Sequence, residues 1–175
     1  MAISVEPMAE RHIDGFHRVF DAVARERKFL AHLEAPPLEQ VRHFALGSLA
    51  KGGNVHLIAL DGSDIIGWCD ITRIERAAFA HCGGLGMGLL SAYRGQGIGR
   101  LLLLSALNAA WAQGMTRVEL TVYATNTGAI ALYEKLGFAK EGYLRKRALI
   151  DGAYVDTWFM AVLRDDLAVL SESER

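Results

Sequence analysis

Eight residues in the middle of the chain, Tyr93-Arg94-Gly95-Gln96-Gly97-Ile98-Gly99-Arg100, have the types and spacing to hold a large anion. They lie between an alternating apolar segment and a run with helical periodicity. The first N–H groups of a helix have no partner within the helix, and its dipole turns its positive end toward them, so a phosphate is welcome there. Glycines at 95, 97 and 99 let a bulky ligand approach the main chain. The plainer alternative is a glycine-rich turn that only reverses the chain. A nucleotide-hydrolysing phosphate loop needs Gly-Lys-Ser/Thr, and Gly99 is followed by Arg100-Leu101. A dinucleotide fingerprint fits better at Gly95 and Gly97, with Glu119 as a ribose-binding acid, but Arg100 stands where its third glycine belongs. A second pair, Asn126 and Tyr133, is two helical turns apart and can face one ligand.

These residues need a scaffold, and the periodicities supply one. Ile3 and Val5 alternate as a strand does, and Ile13, Phe16, Phe20 and Val23 make an amphipathic helical stripe. A second helix is predicted between Pro36-Pro37 and Gly52-Gly53. Residues 55–60 and 65–74 read as strands joined through Asp61-Gly62-Ser63-Asp64. Residues 81–90 form a third strand, unusually rich in glycine, which suits a distorted strand or close approach by a ligand. A helix over 96–113 capped by Gly114, a strand over 118–122, a helix from Asn126 to Gly137-Phe138 and a closing hairpin around Asp151-Gly152 complete the chain. Crossovers through helices join parallel strands, so the sheet is expected to be mixed, with a parallel centre and antiparallel flanks. Ser171 to Arg175 reads as frayed.

Composition narrows the function. A chain of 175 residues has room for one sizeable core, so residues 1–175 are read as one domain. Nineteen basic against twenty acidic residues provide no excess positive charge for a nucleic-acid backbone. No apolar run is long enough to span a bilayer, and Glu6 and Glu10 do not fit a secretory signal, so a cytoplasmic protein is expected. Cys69 and Cys82 lack metal-ligand spacing and read as small buried hydrophobes. No metal is expected.

The chain resembles the GNAT superfamily of acyl-CoA-dependent N-acyltransferases. Arg94-Gly95-Gln96-Gly97-Ile98-Gly99 matches its (Gln/Arg)-x-x-Gly-x-(Gly/Ala) signature, and Asn126 with Ala129-Ile130-Ala131-Leu132-Tyr133-Glu134-Lys135-Leu136-Gly137-Phe138 is similar to its second one. The order of elements resembles the family over essentially the whole chain. The resemblance implies an α/β (α+β) fold whose mostly antiparallel sheet has parallel, splayed central strands and flanking helices. It implies acetyl-CoA as cosubstrate, its pyrophosphate over the amides of Gly95, Gln96, Gly97, Ile98, Gly99 and Arg100, and its pantetheine arm along Met87, Gly88 and Leu89. Arg94, Asn126 and Ala129 join these contacts, and Tyr133 becomes the acid that protonates the departing thiolate. A phenol with its ordinary pKa near ~10 is protonated at neutral pH, as that role requires.

The base is less well marked. Where some family members carry a catalytic Glu, five residues before Asn126, this chain has Thr121. Glu119 acting through water is the candidate, with His81 and Glu75 near the cleft and a solvent chain as the alternative. Phe29, His32 and Glu34 are candidate acceptor contacts. The C-terminal pattern Arg145-Lys146-Arg147, Asp151-Gly152, Tyr154-Val155-Asp156 and Met160 resembles a bacterial branch that acetylates free amino acids. A small-molecule primary amine is therefore the expected partner, with a homodimer in keeping with the family. A silent CoA-binding regulatory module and a dinucleotide-dependent oxidoreductase are the competing readings.

Overall fold

The computed structural model describes residues 2–166; the frayed segment expected at 171–175 lies outside the described residues. Strand β1 (Ile3–Pro7) leads into helices α1 (Ile13–Arg25) and α2 (Leu38–Lys51). An antiparallel run follows, β2 (Val55–Asp61), β3 (Asp64–Arg73) and β4 (Cys82–Leu89). Then come α3 (Ile98–Ala112), β5 (Arg117–Tyr123), α4 (Thr127–Lys135) and the hairpin β6 (Ala139–Ile150) and β7 (Ala153–Leu163). The predicted elements are all present, with three short 3-10 turns besides, one of them Ser91–Tyr93 just ahead of the glycine loop.

The seven strands form one sheet in the order β1-β2-β3-β4-β5-β7-β6. Its one parallel pair is β4 with β5, and the others are antiparallel. The repeated parallel crossovers of a dinucleotide-binding domain are thus not this architecture.

Helix α3 covers one face. Its Leu102, Leu103, Ala106, Leu107 and Ala110 are fully buried against a cluster that includes Cys69 and Ile71 of β3 and Val118, Leu120 and Val122 of β5. A helix apolar around so much of its circumference has no solvated option, so α3 is fixed by the core. The opposite face carries α1 and α2, where Ile13, Val19, Val23 and Ala45 pack with Ile58 and Trp68. Cys69 and Cys82 are both buried free thiols, as read from the sequence.

The glycines of β4 are explained by its neighbour. Register pairs Thr72, Asp70 and Trp68 of β3 with Gly84, Gly86 and Gly88. A side chain at 88 would start 2.2 Å from Cη2 of Trp68, and one at 86 would start 3.1 Å from Oδ1 of Asp70. These glycines let two large β3 side chains lean across the strand. Gly88→Ala is expected to displace the Trp68 ring and destabilise the protein by about 1–3 kcal/mol, the usual cost of overpacking. A urea midpoint unchanged from wild type would refute that reading.

Candidate functional site

Strands β4 and β5 pair only at Cys82↔Arg117, Gly83↔Val118 and Gly84↔Glu119, then part. Hydrogen bonding alternates along an antiparallel strand. Leu90 N donates to Ile66 O at 2.9 Å and Ile74 N to Cys82 O at 3.0 Å, so the even-numbered residues of β4 serve β3. The main-chain groups of Leu85, Met87 and Leu89 therefore turn toward the gap. By the same count, Ala124 N bonds Asp156 O and Arg164 N bonds Thr116 O, so Thr121 and Tyr123 of β5 turn toward the gap from the other side. The result is a V with two open peptide edges in the middle of the sheet.

The mouth of the V leads to the start of α3. Gly95 has φ 74° and Gly97, the residue capping the helix, has φ 83°, conformations that only glycine adopts without strain. A Cβ at either would meet nothing within 4 Å, so the space above them is open. The first bond of α3 is donated by Leu101 to Gly97 O at 3.1 Å, leaving the N–H groups of Ile98, Gly99 and Arg100 at the helix end. No acidic side chain occupies that first turn. At Gly99 a Cβ would stand 3.4 Å from Leu132 Cδ2 and 3.8 Å from Met87 Cε, ordinary van der Waals contacts, so α3 runs close to α4 and β4 at this position.

Arg94 is placed differently from the glycines that follow it. Its Nε donates to Leu89 O at 2.8 Å, and its two terminal nitrogens donate to the Glu26 carboxylate at 2.8 and 2.5 Å. The guanidinium also lies 4.6 Å from the centre of the Phe29 ring. This bidentate ion pair ties the end of β4 to the end of α1, and the Arg94 side chain braces the loop. Gln96 likewise turns back, donating to Ala92 O at 2.8 Å.

On the β5 side, Asn126 caps α4, its Oδ1 accepting from Ala129 N at 3.3 Å, which leaves its amide NH₂ available to a ligand. Tyr133, one of the two buried residues of α4, packs its ring 5.5 Å from that of Phe138. Burial pushes its hydroxyl pKa well up, with the nearby Cys69 thiol adding to the effect, so the phenol keeps its proton throughout the neutral range.

The acidic candidates are dispersed. Glu119 sits at the last paired position of the V, and its carboxylate accepts from Arg117 Nε at 3.0 Å. Arg117 also holds Glu141, so Glu119 is part of an ion-paired cluster. Glu75 is paired with Lys51 at 2.7 Å, and the main chain of His81 closes the narrow end of the V by accepting from Thr116 N at 2.9 Å. Glu34 is near Arg25 on the surface, while His32 lines a cavity.

That cavity, about 480 Å³, opens between α1, α2 and the sheet. Phe16, Phe20 and Trp68 form its walls, ring centres 5.5 to 5.8 Å apart, and Asp70 lies at its floor beside Gly86 and Met87. Asp70 and Trp68 were not singled out from sequence, and Phe16 and Phe20 were read only as part of an amphipathic helical stripe. The available signal was the spacing of two residues shared by Trp68-x-Asp70 and Gly84-x-Gly86-x-Gly88, a pattern that means something only once the strands are known to pair.

Comparison with known proteins agrees with this geometry. The model of the acetyltransferase (GNAT) family matches residues 16–138. The L-amino acid N-acetyltransferase AaaT of Escherichia coli (strain K12) is 32% identical over 113 residues, covering 63% of this chain and 69% of that protein. The N-alpha-acetyltransferase RimI of Mycobacterium tuberculosis is 34% identical over 105 residues, 60% of this chain and 65% of that protein. Among solved structures, a GNAT acetyltransferase from Streptococcus pneumoniae superimposes with TM-score 0.87 at 26% identity, covering 93% of this chain and 99% of that one. A Salmonella typhimurium acetyltransferase solved with its cofactor acetyl-CoA shares the fold at TM-score 0.87 and 14% identity, over 93% and 94% of the two chains. A family model that matches residues 16–138 covers most of the chain, and the chain belongs to the acetyltransferase (GNAT) family.

Proposed function

We propose that the protein transfers an acetyl group from acetyl-CoA to the primary amine of a small molecule, by direct attack while both are bound. The observation that carries this reading is a pair of open features: edges of β4 and β5 with no strand partner beyond Gly84 and Glu119, where the Met87 main chain and the Leu89 N–H face the gap, and the bare N–H groups at the start of α3. A pantetheine arm carries amides that can pair with the edges at Met87 and Leu89, while a diphosphate suits the N–H groups beside Gly95 and Gly97. Open space over both glycines supports this placement of the cosubstrate.

Acetyl-CoA supplies an acyl carbon already activated as a thioester, so the chain needs no nucleophile of its own. It must bring the amine nitrogen to that carbon, remove the ammonium proton and protonate the sulfur as the carbon–sulfur bond breaks. For each amide formed, one thiol and one proton are released. Tyr133, which burial keeps protonated at neutral pH, is the group that protonates sulfur, recovering a proton from the attacking nitrogen. Asn126, with its oxygen committed to capping, has an NH₂ with which to orient the arm.

The acceptor fits the aromatic cavity, which reaches β4 at Gly86 and Met87. Similarity to AaaT brings amino acids into the set of acceptors, and similarity to RimI brings peptide N-termini. Incubating the protein with acetyl-CoA and a panel of amines, with thiol detection, tests donor and acceptor together. Thiol should appear only when an amine is present. Tight binding of CoA with no turnover across the panel would instead indicate a binding module.

A further inference from the structure

The cavity floor holds a carboxylate that takes a hydrogen bond from the Trp68 side chain but has no charged partner among the described residues. Asp70 follows the apolar run Ile65–Cys69 of β3 and is flanked in register by His56 on β2 and Gly86 on β4. It keeps partial solvent access, through the cavity, although protein surrounds it densely. Among the described residues no salt bridge involves it, and no cation contributes to its charge state. A buried carboxylate without a cationic partner is costly, so a fold that retains one leaves room for a cation from outside.

The remaining lining says what that cation is attached to. Phe16, Phe20 and Trp68 provide edge and face contacts for an apolar body of ring size. No lysine or arginine lines the cavity. An α-carboxylate next to the amine would enter beside Asp70 with no positive charge to meet it, which is unfavourable in a confined space.

Building on the acetyl-transfer reading, we propose that the Asp70 carboxylate receives the acceptor's ammonium group and takes one proton from it, and that the acceptor is an apolar primary amine without a carboxylate beside the nitrogen. The ammonium N–H bond breaks, the proton moves to a carboxylate oxygen, and the neutral amine faces Gly86 and Met87, where β4 borders the V. Asp70 returns the proton to water through the cavity.

Burial raises the Asp70 pKa to about 7, close to neutrality, where a base both accepts and releases protons readily. The other titratable groups facing it are few. From β2, His56 lies with its Nε2 2.6 Å from Ser48 Oγ, and burial lowers its pKa, so it is neutral when Asp70 titrates. His32 comes from the loop after α1, edge-on to Phe20 at 5.4 Å. The cavity-lining residues of α1, α2 and β4 include no charged side chain.

Calorimetric titration of phenethylamine and of phenylalanine into the CoA-saturated protein tests this without turnover. Phenethylamine should bind at least about tenfold more tightly than phenylalanine, the equivalent of one lost or repelled charge contact. Its affinity should fall by about tenfold per pH unit below pH ~7, where Asp70 is protonated, and level off above it, because the bound pair needs the carboxylate charged. Asp70→Asn should lower affinity by roughly 30-fold or more at pH 8 and flatten the pH dependence, with CoA affinity unchanged. If Asp70→Asn loses CoA binding as well, the wild-type pH series decides. No phenethylamine binding, pH-independent binding, equal preference for phenylalanine, or unchanged affinity in a CoA-binding Asp70→Asn protein would each overturn the inference. The expected binding pattern with no thiol release for any amine would sink the transfer reading alone; turnover with an unaffected Asp70→Asn variant would sink this one alone.

Discussion

Gly97→Val should reduce acetyl-CoA affinity by at least about a hundredfold, roughly 2.7 kcal/mol, while the protein remains folded. Two effects act together. The left-handed φ of 83° strains a residue with a side chain by about 1–2 kcal/mol, more for a β-branched one. The added carbons would also occupy the open space above the loop, where an anion must come within hydrogen-bonding distance of the N–H groups of Ile98, Gly99 and Arg100. Apart from its own neighbours in sequence, nothing lies within 4 Å of the new Cβ, so the core is spared. Calorimetry with acetyl-CoA and thermal unfolding without it separate the two contributions. Normal affinity in this variant would mean that the α3 N-terminus is not where the coenzyme's phosphates sit.

The glycine loop was legible in the sequence because its signal is local: residue type, spacing and position between a strand and a helix. The same holds for α4, where the separation of Asn126 and Tyr133 placed both on one helix before any contact was known. Arg94 was legible as part of a motif but not as a brace, because its partner Glu26 is 68 residues away and only the fold brings α1 to the end of β4. Glu119 raised a different problem. Alternation along β5 puts it on the same face as Arg117, which could have suggested an ion pair, whereas Glu141 arrives from a different strand. Asp70 was hidden most completely. The run Ile65–Cys69 ahead of it is apolar on both faces, so periodicity could not distinguish a residue over the cavity from one under α3, and only pairing with the glycines of β4 gives it a direction.

Tyr133→Phe should lower kcat by about a hundredfold or more and leave the KM for acetyl-CoA within a few-fold. The substitution removes one oxygen and keeps the ring that packs on Phe138 at 5.5 Å, so a fall in kcat alone reports the lost proton. Because burial holds the hydroxyl protonated, wild-type activity should show no alkaline loss from Tyr133 in the range where an exposed phenol would begin to ionise. The acidic limb should then belong to Asp70 and persist in the Phe variant with its midpoint unmoved. A variant that keeps full kcat would leave sulfur to be protonated by water.

The parting of β4 from β5 makes the sheet less continuous than a count of strands implies. Four strands on one side and three on the other meet over three paired positions, and beyond them each half presents a raw border inside the molecule. Borders of that kind, on the outside of a protein, invite another chain to add itself. Here the opening is sheltered by α3 on one face and tied on the other, where the Tyr123 hydroxyl donates to Leu30 O at 2.9 Å. A slender amide-bearing chain can enter where a polypeptide cannot. Such a guest would complete the architecture as much as feed the reaction, serving as a removable eighth strand that is discarded and replaced at every turnover.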